Sequence, residues 1–411
     1  MLRLHTDRVA LHGLSWQPAA ASARRARLLL ALLIAPLPIL AADMTGWIGT
    51  YTSQANVSTG SGGIYSFKWD SRTGSFSDVH AVAASTNPSF LALHPNGRFL
   101  YATNEDESGM GHVTAFALGD TPTAPLKNLG SVSSMGSMPC HLAVDSTGKW
   151  LFVANYGSGI IALFPIQSDG SLGPAKQTIQ QQGSGPVTDR QQGPHAHEVV
   201  QSPDGHFLLA MDLGADRIFV YRFDAASGTL TPNDPSSAAM PRGYGPRHMV
   251  FSKDGRLVYA LSEINPAVIT LRWSAERGAL TQLAVISSLP ADFNGQRSAA
   301  ELALHPSGKF LYASNRDDSN TIAAFQIGAD GIPVLSGWTP SGGKTPRFIG
   351  IDPSGRFLIA ANQNSGDMFI FRIDSATGAL TRQGASVSVP APVDILFAPA
   401  HAAATAARSA P

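Results

Sequence analysis

The chain has 411 residues, with 29 Lys plus Arg matched by 29 Asp plus Glu, so its charge balance supplies neither a nucleic-acid surface nor a polybasic membrane patch. Its one cysteine, Cys140, excludes an intramolecular disulfide and a cysteine-built zinc site, and reads as a free buried thiol. Forty glycines and 28 prolines among many Thr, Ser and Val suit short strands joined by tight turns, the composition of an all-β protein.

At the amino terminus Arg24, Arg25 and Arg27 precede an apolar run over residues 28–40, and the small residues Ala41 and Ala42 follow before Asp43. Basic, apolar and small segments in that order make a secretory signal, and the run is short for a membrane span and broken by Pro36 and Pro38. Residues 1–42 are therefore expected to be a signal peptide or targeting segment. The mature product would be periplasmic or secreted, with no stable membrane insertion after processing. The long stretch before Arg24 is also consistent with a true start downstream of Met1. At the other end, the alanine-rich residues 400–411 lack periodicity and are expected to form a disordered tail.

Between them, residues 43–399 are organised by one repeated stretch. Its clearest copy is Pro306-Ser307-Gly308-Lys309-Phe310-Leu311-Tyr312-Ala313-Ser314-Asn315, and variants recur around glycines 97, 148, 205, 255 and 355. The gaps between successive glycines are 51, 57, 50, 53 and 47 residues. Each copy has an apolar segment, a tight turn and an aromatic or β-branched run, which reads as a β-hairpin. A third strand follows at residues 113–117, 160–164, 217–221, 267–271, 321–325 and 367–371, then a Gly-containing loop and a fourth strand. Four antiparallel strands in about 50 residues make a propeller blade, which buries its faces only against its neighbours. Unmatched pieces at the two ends, residues 46–52 with 63–69 and residues 391–399, complete each other as one more blade. The predicted fold is a seven-bladed β-propeller with one blade closed by both termini, which leaves no open edge.

Counting from the turn glycine turns the repeat into columns that share one end of the hairpin. Eight residues before it stand Ser89, Cys140, His197, Arg247, Ala300 and Arg347, with Val393 from the split blade. Seven before it stand Phe90, His141, Glu198, His248, Glu301, Phe348 and Asp394. Eight after it stand Glu105, Tyr156, Leu213, Glu263, Arg316 and Gln363, with Tyr51 from the split blade. His, Arg and Glu gather in these columns while the hairpins are otherwise apolar. If the first strand of each blade is innermost, the columns ring the mouth of the central channel, a natural ligand site. The competing reading is that they are blade-to-blade hydrogen bonds and ion pairs satisfying buried strand ends.

Other recurring polar residues read as scaffold. His94, Asp145, His305 and Asp352 precede the turn and are expected to cap it. Asn104, Asn155, Asp212, Asn315 and Asn362 recur seven residues after the glycine and could ligate a metal, but recurrence in nearly every blade favours a bond to the next blade's backbone.

With these hairpins, and with Gly193-Pro194-His195-Ala196-His197-Glu198, Gly245-Pro246-Arg247-His248 and Ser314-Asn315-Arg316, the sequence from about Gly46 to Pro399 resembles the lactonase family of seven-bladed propellers. That family includes bacterial 6-phosphogluconolactonases and the fungal carboxymuconate-cyclising enzyme. The resemblance implies opening of a small-molecule lactone without a required metal or cofactor. The cyclising enzyme's proposed order His, Arg, Glu, Arg is matched by His197 (or His195), Arg247, Glu263 and Arg316. These four are the candidate catalytic residues; His195, His248, Glu105, Glu301 and Arg347 are candidate substrate-binding residues.

Lactone opening needs a base for water, positive charge at the carbonyl oxygen and a proton for the leaving alkoxide. His197 or Glu263 could be the base, and Arg247 and Arg316 could hold the oxyanion, a carboxylate or a phosphate. Export would separate the protein from cytoplasmic sugar phosphates and favours an unphosphorylated sugar lactone. The alternatives are a carboxymuconate-type cycloisomerase, a metal-dependent lactonase, and a non-catalytic propeller that binds a small acid or a protein. The evenly mixed surface gives no sign of a protein partner or of an oligomeric state.

Overall fold

All six turn glycines, 97, 148, 205, 255, 308 and 355, lie in the left-handed region with φ between 68° and 77°, where a side chain would be strained. The hairpins they close are the inner halves of blades in a computed structural model that describes residues 44–398 apart from 55, 56, 107, 108 and 122. The targeting segment expected at 1–42 and the tail expected at 400–411 lie outside the described residues.

The described chain forms seven four-stranded antiparallel sheets and a small accessory hairpin, Ser53–Gln54 with Val57–Ser58. Blade 1 is the split one: the last strand, Pro392–Phe397, lies beside the first, Met44–Thr50, with Ile48 opposite Ile395 and Gly49 opposite Asp394. The inner strands of blades 2 to 7 are Leu91–Leu93, Pro139–Val144, Ala196–Gln201, Pro246–Phe251, Ala299–Leu304 and Pro346–Ile351. Each inner strand contacts the inner strands of both neighbouring blades, and Pro392–Phe397 contacts those of blades 7 and 2, so the ring is closed. The predicted seven blades, and the closure by both termini, are what the chain adopts.

Cohesion comes from the seams between blades. Seven apolar clusters each join residues of two adjacent blades, as where Phe310, Tyr312 and Ile322 of blade 6 meet Leu358, Phe369 and Phe371 of blade 7. Polar bonds fix the register of these seams. Tyr312 donates its hydroxyl to the carbonyl of Gly378 in the next blade at 2.8 Å, and Tyr101 and Tyr259 do the same to Gly170 and Gly331. Gly378 sits at φ +74° with the Phe310 ring where a Cβ would be, so a glycine is needed for the close approach.

The recurrent Asn column is scaffold too, but it reaches backwards. Asn155, Asn315 and Asn362 donate to Ser134, Ser288 and Ser341, all in segments that leave the preceding blade rather than in the next one. Asp145 and Asp352 cap their own turns through backbone N–H groups. His94 and His305 also bridge blades, to the carbonyls of Gly148 and Gly355.

Because one strand closes the ring, its apolar residues should matter beyond their size. Ile395 is buried in the seam between blades 7 and 1. Ile395→Ala should lower unfolding free energy by about 2–4 kcal/mol in a urea titration; a loss below about 0.5 kcal/mol would mean that closure contributes little.

Candidate functional site

The inner strands share one irregularity that creates the site. In blade 4, Ala196 pairs with Asp212 and Glu198 with Met211, leaving His197 bulged out of the ladder. The same break falls at Cys140 in blade 3, at Arg247 in blade 5 and at Arg347 in blade 7, and blade 6 shifts register across Ala300 and Glu301. A regular strand would point the residues eight and seven before the glycine to opposite faces. The bulge re-aims them, so both columns reach the channel at different depths.

The upper layer opens into a cavity of about 490 Å³ lined from all seven blades. Blades 1 and 2 supply Tyr51 and Glu105, blade 3 supplies Cys140 and Tyr156, and blade 4 supplies His197. Glu263 enters from the end of blade 5, Ser298 and Arg316 flank blade 6, and Arg347 and Gln363 come from blade 7. A larger groove of about 790 Å³ lies on the opposite face beside Lys253, Arg256 and Arg272, but its walls hold no histidine or glutamate. The smaller cavity is where the acid, base and cationic groups converge.

Glu263 is its electrostatic centre. Its Oε2 is 2.9 Å from Arg247 Nε and 3.0 Å from Arg316 Nη2, and its Oε1 pairs with Arg190 Nη2. Burial opposes ionisation of this carboxyl, yet Arg316, Arg247 and Arg190 together outweigh burial and hold it well below the usual glutamate range. Arg247 also donates to the Ala300 carbonyl, and Arg316 to Ser298 Oγ at 2.6 Å and the Ala299 carbonyl at 3.1 Å. Burial pushes the Arg316 guanidinium down to about 10, with Glu263 opposing that shift.

His197 Nε2 lies 3.9 Å from Glu263 Oε2, and its Nδ1 faces Cys140 Sγ at 3.8 Å. Burial, followed by the charges of Arg247, His248, Arg347 and Arg316, holds the imidazole well below its ordinary range, so it is neutral. Across the cavity Arg347 lies over the Tyr51 ring at 5.1 Å and 3.8 Å from Glu105, whose Oε2 accepts the hydroxyls of Tyr51 and Ser89. Glu263 and Glu105 are thus paired with four guanidiniums, of which Arg190, Arg316 and Arg347 line the cavity, and Asp317 adds a third carboxylate to the lining.

The structure divides the sequence candidates. His197, Glu263, Arg316, Glu105 and Arg347 line the cavity, whereas Arg247 stands behind Glu263, 2% exposed, and holds it in place. His195 does not line it: its ring stacks on Tyr156 at 4.7 Å and its Nδ1 meets the Tyr156 carbonyl.

His248 and Glu301 also lie outside the lining, in a layer beneath it. Arg247 Nη1 approaches His248 Nε2 at 3.4 Å, which makes that nitrogen an acceptor; Nδ1 then carries the proton and donates to Glu301 Oε2 at 2.9 Å. In this layer blade-to-blade bonding prevails. Glu198 accepts Met249 N–H from the next blade, Asp394 accepts Leu91 N–H, and Glu301 accepts its own Leu302 N–H.

The columns missed Gln54, Met138, Ser298, Asp317 and Arg190 of the cavity lining, and Arg190 is the cation among them. It lies in the connection between Gln177–Gln180 and Ala196–Gln201, outside the repeat, so no column contains it. The signal was the 57-residue gap between Gly148 and Gly205, the longest of the five. Among the described residues no group of three His, Cys, Asp or Glu side chains has the geometry of a metal site.

A family model described as lactonase, 7-bladed beta-propeller matches residues 45–397. The chain belongs to the lactonase family of seven-bladed β-propellers. Among curated lactonase relatives, the 6-phosphogluconolactonase of Bacillus subtilis is 33% identical over 353 residues, covering 86% of this chain and 97% of that protein. The 6-phosphogluconolactonase of Formosa agariphila is 32% identical over 324 residues, 78% of this chain and 91% of that one. Among solved structures, the periplasmic gluconolactonase of Pseudomonas aeruginosa superposes with a TM-score of 0.81 at 34% identity, covering 87% of this chain and 99% of that one. The seven-bladed propeller read from the repeats and the lactonase family that the sequence resembles are therefore both found, and the 6-phosphogluconolactonases among its relatives make this chain a lactone hydrolase, a carboxylic ester hydrolase acting on a small-molecule lactone.

The buried layer gives this lactonase a titratable seam. Burial pushes Asp394 up to about 8, opposed by its Leu91 N–H bond and reinforced by Glu301. Between about pH 4 and pH 8 the unfolded aspartate releases a proton that the folded one keeps, so this group lowers stability as pH rises through that window. Asp394→Asn, which keeps an acceptor for Leu91, should gain on wild type by on the order of 4 kcal/mol between pH 5 and pH 9 in urea titrations. An equal difference at both pH values would contradict this assignment.

Proposed function

We propose that this lactonase opens a sugar lactone by water attack in the cavity at the channel mouth, with neutral His197 as the base. The observation that carries the reading is the convergence, in one cavity, of a neutral buried imidazole, an ionised Glu263 and the guanidiniums of Arg316 and Arg347. Water adds to the lactone carbonyl carbon and gives its proton to the His197 imidazole. The new oxyanion is stabilised by Arg316 and Arg347, guanidiniums whose charge is fixed and little solvated. Collapse of the tetrahedral adduct breaks the ring C–O bond, and the departing alkoxide takes the proton back from His197. Glu263 stays ionised throughout, holding Arg247 and Arg316 in place and stabilising the transient imidazolium across 3.9 Å.

An unphosphorylated sugar lactone fits this chain best. The amino-terminal sequence has the pattern of an export signal, and the solved structure from Pseudomonas aeruginosa carries the name of a periplasmic gluconolactonase. We infer a periplasmic or secreted enzyme whose substrate is a neutral aldonolactone.

The test is hydrolysis of glucono-1,5-lactone and its 6-phosphate by purified protein, with buffer hydrolysis subtracted. Wild type should prefer the unphosphorylated lactone, His197→Asn should lose about 10²–10⁴ in kcat, and Arg316→Met about 10²–10³. Full activity in both variants would overturn the site assignment, and preference for the phosphorylated lactone would overturn the substrate. Because the His197 imidazole protonates only below its ordinary range, kcat/KM should stay level down through pH 6.5 and fall on the acid side of it. An acid limb centred above pH 6.5 would exclude His197 as the base.

A further inference from the structure

Three guanidiniums hold Glu263, but they do not hold it alike. Arg247 and Arg316 share Oε2 and are fixed by further bonds to Ala300, Ser298 and Ala299, and their side chains are only 3% and 11% exposed. Arg190 alone covers Oε1, and its side chain is 41% exposed. Among the described residues its one other side-chain partner is the Tyr156 hydroxyl at 3.2 Å, itself part of the cavity wall. The guanidinium that faces the entering ligand is therefore the one with the fewest ties to the scaffold.

The loop that carries it is built rather than loose. Gln191, next in sequence and fully buried, donates to the Leu213 carbonyl and to Asp216 Oδ1, each at 2.8 Å, while its Oε1 accepts Val187 N–H. Asp216 is in turn fixed by the N–H groups of Gly243 and Gly245 at the entrance to blade 5. Backbone bonds from Arg190 and Gln191 to the Val187 carbonyl close the turn. The backbone of residue 190 is thus pinned beside the cavity, and only its long side chain is free to choose a partner.

We propose that Arg190 is a substrate-binding residue that exchanges Glu263 for the carboxylate forming on the ligand. In the free protein it neutralises Oε1. As the lactone carbonyl becomes an oxyanion and then the carboxylate of the open-chain acid, the guanidinium swings to that oxygen pair, which it can grip by two parallel N–H bonds. Its departure leaves Glu263 with two cations instead of three, so the carboxylate is freer to stabilise His197 while the imidazole holds the water proton. The exchange is driven by charge that appears only along the reaction, which favours the transition state over the neutral lactone. No atom is transferred in the exchange itself.

This rests on reading the rim as the lactone-opening site, so its test carries a readout that does not need turnover. Equilibrium binding of gluconate to the full-length mature protein is measured for wild type, Arg190→Met and Arg190→Lys, alongside glucono-1,5-lactone kinetics. Arg190→Met should weaken gluconate binding by about 10-fold or more and lower kcat/KM by about 10–100-fold, with partial rescue in Arg190→Lys. Gluconate affinity within twofold of wild type in Arg190→Met, or no gluconate binding by wild type, overturns the proposal. Loss of activity in His197→Asn beside full activity and full gluconate binding in Arg190→Met would sink this inference alone and leave the lactonase site standing. No hydrolysis by wild type, beside Arg190-dependent gluconate binding, would do the reverse.

Discussion

A carboxylate taken out of water has to be compensated, and Glu263 is the buried charge around which this site is arranged. With its side chain only 7% exposed it needs partners nearby, and Arg247, Arg316 and Arg190 supply them from blade 5, blade 6 and a loop between blades 3 and 4. Removing the carboxylate itself would leave the buried guanidiniums of Arg247 and Arg316 uncompensated in a low-dielectric wall, at a cost of about 3–5 kcal/mol. The same attraction that steadies the blades therefore keeps cationic groups concentrated at the channel mouth. Burial, reinforced by the charges of Arg247, His248, Arg347 and Arg316, keeps His197 neutral, and a neutral imidazole beside a cationic wall is suited to taking a proton while the wall takes the negative charge.

Closure of the ring makes this arrangement possible. Seven inner strands bring their ends to one mouth, and a bulge or register shift near the same position in blades 3 to 7 re-aims a side chain there. The residues one position further in turn down into the channel and are mostly spent on bonding blade to blade, as Asp394 does to Leu91 and Glu198 to Met249. Two adjacent positions in the repeat thus divide the labour, the first bringing Cys140, His197 and Arg347 to the cavity and the second holding the ring.

The fold was legible because it repeats. A tight turn that demands a left-handed glycine, flanked by a fixed aromatic and β-branched run, leaves the same mark six times, and the two unmatched ends could only complete each other. The rim was legible for the same reason, since His197, Glu263 and Arg316 each occupy a position fixed by distance from that glycine. What the columns could not give was depth. His248 and Glu301 look as exposed to the channel as His197 does when counted along the chain, and only the bulge separates their layer from the cavity. His195 was out of reach for a related reason, because two residues from His197 its ring has already turned to stack on Tyr156. Arg190 escaped because it lies in the one long connection that breaks the repeat, where periodicity carries no information about position.

The claim on which everything else turns is that the reacting lactone sits at the channel mouth, among His197, Arg316 and Arg347. A crystal structure with the open-chain aldonic acid bound would test it most directly. The account predicts the acid's carboxylate at about 3 Å from guanidinium nitrogens of that rim, with its carbon chain in the cavity beside His197. The acid bound instead in the groove between blades 5 and 6 on the opposite face, with the rim empty, would contradict it.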